Sequence, residues 1–118
     1  MLMIDSHLDL AYNALQWNRN LLQSVYTLRA QERDIQEKGR AQGTVAFPEM
    51  RRGRMALCFS TVLARNTGVT APHIDYGSQA QAYAVAQGHL LYYRALEREG
   101  AIRVITDLAG LNKHIAEW

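Results

Sequence analysis

Met55-Ala56-Leu57-Cys58-Phe59-Ser60-Thr61-Val62-Leu63 is a near-continuous apolar run of the kind found in strands covered on both faces of a parallel sheet. Its flanks agree with that reading. Upstream, Pro48 suits the first position of a short helix and Gly53 can supply the left-handed residue that ends it, so Pro48 to Arg52 is expected to form one turn. Downstream, Gly68, Pro72 and Gly77 mark Asn66 to Gly77 as a loop, and Ser78 can cap the helix after it. That helix, the longest, is expected from Gln79 to Glu99, with Ala82, Ala86, Leu90, Tyr93 and Leu96 or Glu97 on its inner face and Gly100 as its stop. Ile102-Arg103-Val104-Ile105 reads as a further short strand, and Thr106 or Asp107 can cap a closing helix through Leu108, Leu111, Ile115 and Trp118.

Towards the amino terminus, Met3 to Asp9 reads as a strand and Leu10 to Trp17 as a helical turn or two, with Leu10, Ala14, Leu15 and Trp17 inward. Asn18 to Thr44 is polar and irregular; its sizeable apolar residues are Leu21, Leu22, Val25, Tyr26 and Leu28, and Ser24 to Gln31 is helix or loop. Strand and helix thus alternate, which favours a parallel sheet wrapped by helices, because each parallel crossover needs a helix-sized connection. Three strands cannot close a barrel. An eight-stranded barrel takes about 250 residues, so if the parent fold is one, these 118 residues supply its first three β/α units. Residues 1–118 are then a single partial domain, and the lack of a stop signal at Trp118 reads as truncation or cleavage.

With 48% hydrophobic and 20% charged residues the composition is that of a globular chain rather than a disordered one. Thirteen basic residues against eleven acidic give +2, spread along the sequence, which argues against nucleic acid as partner. Arg51-Arg52-Gly53-Arg54, the one basic cluster, reads as a solvated turn. Cys58 lies inside the apolar run and reads as a small buried hydrophobe; as the single cysteine it has no partner for an intrachain disulfide. No apolar span approaches 20 residues and no basic-then-apolar leader is visible, so neither a membrane helix nor a secretory signal is expected and the default location is cytoplasmic.

Asp5-Ser6-His7-Leu8-Asp9 is the stretch best suited to chemistry. A strand sends side chains i and i+2 to one face about 6.6 Å apart, so a His-x-Asp pair at a strand's end can converge on one cation. The plainer alternative is a hydrogen-bonded structural pair. Two ligands are also too few, since a catalytic zinc takes three from the protein and leaves a position open for water. Elsewhere, His73 reads as an exposed loop residue, His89 and His114 as surface or partly buried, and Tyr92-Tyr93 as one core and one rim aromatic. Ser60 and Thr61 stand towards the carboxyl end of their strand, with packing as the simpler role and pocket lining as the other.

Ile4-Asp5-Ser6-His7-Leu8-Asp9-Leu10 resembles the amino-terminal Asp-x-His-x-Asp-Leu signature of the membrane (renal) dipeptidases, zinc peptidases with an amidohydrolase-like barrel. Phe47 to Ser60 is similar to that family's second strand and its lead-in, and Gln79 to Glu99 and Ile102 to Trp118 fall where it has its next helix, strand and helix. The resemblance implies the first three β/α units of a (β/α)8 TIM-type barrel, incomplete in this chain. It implies hydrolysis of dipeptides by a zinc-activated water, with two zinc ions per complete site. His7 and Asp9 would be ligands to one of them, Asp5 would orient a ligand from behind, and Tyr12 would stand near the substrate. The family's bridging glutamate, two histidines and further aspartate, with the acid or base, lie beyond the matched stretch, so no catalytic residue is assigned here. Ser6 replaces a usual glycine and Leu8 a usual polar residue. The implied partners are a dipeptide and the remainder of the barrel, a homodimer is left open, and these 118 residues alone are expected to be inactive. The alternative function is a non-catalytic fragment or packing piece.

Overall fold

The computed structural model describes residues 2–69, 71 and 74–118. His73, expected to be an exposed loop residue, lies outside the described residues. The elements run β1 (Met3–Leu8), α1 (Leu10–Leu15), α2 (Val25–Gln31), α3 (Phe47–Arg52), β2 (Met55–Ser60), α4 (Gln79–Arg98) and α5 (Leu108–Glu117). β1 and β2 pair in parallel, and the crossover that a parallel pair requires carries α1, α2 and α3.

Local chemistry sets the helix starts. The hydroxyls of Ser24 and Ser78 accept from the Thr27 and Gln81 amides, and the Asp107 carboxylate accepts from that of Gly110, satisfying amides that a first turn leaves unpaired. Gly100, at φ +72°, ends α4 as expected. The end of α3 differs from expectation. Gly53 stays helical at φ −74°, its amide bonding the Glu49 carbonyl at 2.8 Å, and the left-handed residue is Arg54 at φ +54°. The chain turns into β2 one residue later than glycine placement suggests.

The core gathers Leu10 and Ala11 of α1, Leu21, Val25 and Leu28, Ala46 and Phe47, and Tyr93 and Leu96 of α4. α4 meets this core along His89, Tyr93 and Leu96, whereas Leu90 is 42% exposed. The buried stripe therefore passes through His89 rather than Leu90, and His89, expected at or near the surface, is fully buried. An imidazole with both nitrogens bonded buries without an unpaired polar group, so apolar periodicity misplaces the stripe there. His114 is partly buried.

Two expectations for the sheet change. Residues 102–105 do not pair as a third strand. On their side the Val104 amide donates to Glu97 Oε1 at 2.8 Å, and on the side of β2 the Ala56 carbonyl accepts from His114 Nε2 at 2.7 Å. Nor is β2 covered on both faces. Leu8 and Cys58 pack against the core, with Cys58 partly rather than wholly buried, while Ile4 and Phe59 are 50% and 63% exposed. The described residues thus form a mixed α/β unit on a two-stranded parallel sheet. No helix among them is long and apolar enough to cross a membrane.

Candidate metal centre

The parallel pairing brings the carboxyl ends of β1 and β2 together, where the Thr61 amide donates to the Leu8 carbonyl at 3.0 Å. In parallel α/β folds this is the edge where ligands bind. The register shows how β1 is shaped there. Asp5 pairs with Cys58 and Leu8 with Ser60, so β1 spends three steps where β2 spends two and bulges across Ser6 and His7. A bulge leaves an amide without its ladder partner. The Asp5 carboxylate fills that role for His7, accepting from its backbone N–H at 2.8 Å. Asp5 therefore supports His7 through the main chain rather than through the imidazole.

Past the bulge, the imidazole of His7 and the carboxylate of Asp9 meet with Nε2 and Oδ1 3.4 Å apart. Regular pleating does not produce this approach, since β1 ends at Leu8 and Asp9 turns the corner at φ −85° and ψ 53°. The separation suits a shared cation: two ligands each about 2.1 Å from a tetrahedral zinc lie about 3.4 Å from one another. His7 is 70% and Asp9 35% exposed at the side chain, so a cation could reach both from solvent. They remain a pair. Among the described residues no group of three or more His, Cys, Asp and Glu side chains is placed to hold a metal ion.

Asp9 is held from behind. The Thr61 hydroxyl donates to its Oδ1, and the Thr61 carbonyl accepts from the Tyr93 hydroxyl at 2.8 Å. The same phenol oxygen accepts from the Ala11 amide at 3.1 Å. Burial pushes the Tyr93 phenol above its usual range against the bond from Ala11, so it stays protonated and able to donate. A second buried cluster lies close by. The Leu63 amide donates to His89 Nδ1 at 3.3 Å, which leaves the ring proton on Nε2 to donate to Gln16 Oε1 at 2.9 Å, and Gln16 Nε2 donates to the Tyr76 hydroxyl at 3.2 Å. Burial pulls His89 below the usual histidine range while the Asp9 charge opposes the shift.

The remaining expected residues stand away from this pair. Tyr12 is 8% exposed and packs edge-on against Trp17 with ring centroids 6.3 Å apart, towards the core side of α1. Tyr93 is buried and Tyr92 partly so, the core-and-rim split expected of those two rings. Arg52 pairs with Glu49 and Arg51 donates to the Ala101 carbonyl at 3.2 Å, so two members of the basic cluster are engaged within the fold. Sequence reasoning missed Thr61 and Tyr93 as supports for Asp9 and the His89 cluster, because none carries a local signal. No family model, no curated protein and no solved structure matches the chain.

Proposed function

We propose that the chain is the amino-terminal part of a barrel metallopeptidase that hydrolyses dipeptides, with His7 and Asp9 as ligands to one zinc of a two-zinc site. The supporting observation is the 3.4 Å approach of His7 Nε2 to Asp9 Oδ1 at the carboxyl ends of parallel strands, a spacing that fits two ligands of one cation. When bound, zinc would polarise the scissile carbonyl and make water a nucleophile at neutral pH. The residues of this chain do the holding. His7 would offer the Nε2 lone pair, Asp9 its carboxylate, Asp5 the stiffening of the bulge, and Thr61 the hydroxyl that fixes the Asp9 rotamer.

The second reading, a packing piece without activity of its own, is favoured by the donor count and by the bare Ile4 and Phe59. Equilibrium dialysis against zinc chloride with metal analysis, run beside a dipeptide hydrolysis assay, separates the two. The 118 residues should bind zinc weakly, with His7→Ala or Asp9→Ala abolishing it, and should not turn over dipeptides. Zinc uptake indifferent to both substitutions would remove them from the ligand set, and turnover by the isolated chain would contradict the partial-site reading.

A further inference from the structure

Asp9 occupies the cap position of α1, and aspartate there ordinarily turns its carboxylate back to accept from an amide of the first turn. Here it makes no such bond. Of the two amides such a cap can take, those of the second and third helical residues, that of Ala11, the second, donates instead to the Tyr93 hydroxyl, 82 residues away in sequence. That hydroxyl donates its own hydrogen bond to the Thr61 carbonyl, and the Thr61 side chain in turn donates to Asp9 Oδ1. The three links form one circuit: the first turn of α1 is satisfied from α4, and the carboxylate is drawn the opposite way, towards the end of β2 and His7.

We propose that Tyr93 is a positioning residue, a surrogate cap for α1 whose hydroxyl keeps the Asp9 carboxylate off the helix end and facing His7. The inference rests on the reading of His7 and Asp9 as cation ligands. Without the phenol oxygen, the Ala11 amide is a buried donor in need of an acceptor, and Asp9, at the cap position two residues before it, is the side chain placed to accept. A capping aspartate bonded to its own helix end would turn away from Thr61 and His7. Loss of a group that orients a metal ligand typically lowers affinity tenfold or more.

Two readouts test this in the 118-residue chain: zinc affinity by calorimetric titration with zinc chloride, and exchange of the Ala11 amide by NMR. Tyr93→Phe should weaken zinc binding about tenfold, Thr61→Val should do the same, and Thr61→Ser and the neighbouring Tyr92→Phe should stay near the parent. The Ala11 amide should remain protected in Tyr93→Phe, because Asp9 takes it over, and lose protection when Asp9→Ala is added. Asp9→Ala alone should leave it protected. Parent-like zinc affinity in Tyr93→Phe, or an Ala11 amide that exchanges equally fast with and without Asp9 in that background, would overturn the surrogate cap. Should Tyr93→Phe not fold, an Ala11 amide that exchanges as fast as an exposed one in the parent chain would do so. Zinc binding insensitive to His7→Ala would instead bring down the ligand reading, and the positioning role with it, while the amide exchange would still report the cap.

Discussion

In the segment between α1 and α3, Glu32 is held by two arginines and a backbone amide. It accepts from Arg19 Nε at 2.7 Å and Nη2 at 2.9 Å, from Arg40 Nη1 at 3.2 Å and from the Ala41 amide at 2.8 Å. Arg19 and Arg40 also stack on Trp17, 5.1 and 4.6 Å from its ring centre. Gly39 closes the cluster at φ +92°, where a Cβ would stand 3.2 Å from the Trp17 ring, so conformation and space both call for glycine. The Arg19 bonds, chiefly, hold the Glu32 carboxyl down to about 2. A carboxylate depressed on folding adds stability that is present above its unfolded value near 4.5 and lost as pH falls towards 2. Glu32→Gln should therefore lower unfolding free energy at pH 7 by about 2–3 kcal/mol in urea titration and flatten the acid limb between pH 5 and 2. An unchanged acid limb would mean that the pair does not hold this segment. Nothing in the sequence announces the cluster, because Arg19 and Glu32 stand thirteen residues apart across an irregular stretch.

Helices with chemical punctuation were the legible ones. Ser78 and Gly100 bracket α4 as expected, and Asp107 opens α5, because caps and left-handed stops act through neighbours in sequence. Ser78→Ala should cost about 1 kcal/mol, read as faster amide exchange confined to the first turn of α4; exchange unchanged there would deny the cap. That residues 102–105 stay out of the sheet was not legible, since an extended apolar segment becomes a strand only if a partner edge is free. Nor was His89, whose burial depends on Gln16 and Leu63 from distant parts of the chain. Because burial depresses His89, the unfolded chain takes up its proton first on acidification, and stability should begin to fall as pH drops below about 6.5. His89→Gln should remove that slope between pH 7 and 5 in thermal unfolding, and a slope equal to the parent's would assign it to another group.

At the scale of the whole molecule, the elements place the core on one side of a two-stranded sheet and leave Ile4 and Phe59 bare on it. Ile4→Lys with Phe59→Lys should reduce dye binding and concentration-dependent association in sedimentation while leaving the melting temperature within a few degrees; a collapse of the fold would place these side chains in the core instead. The α/β character was legible in the apolar run at Met55 and in the alternation of elements, and the His7 and Asp9 pair in five consecutive residues. The supports of that pair were not, because Thr61 stands 52 residues from Asp9 and the Tyr93 bond to Ala11 spans 82. The bulge that brings His7 to Asp9 belongs to the pairing of two strands and is invisible in either one alone. The most direct measurement is the imidazole nitrogen spectrum of the 118 residues during titration with zinc chloride. His7 Nε2 should shift while His114 does not, and Asp9→Ala should remove the shift. A stationary His7, or one that moves equally without Asp9, would contradict the shared cation.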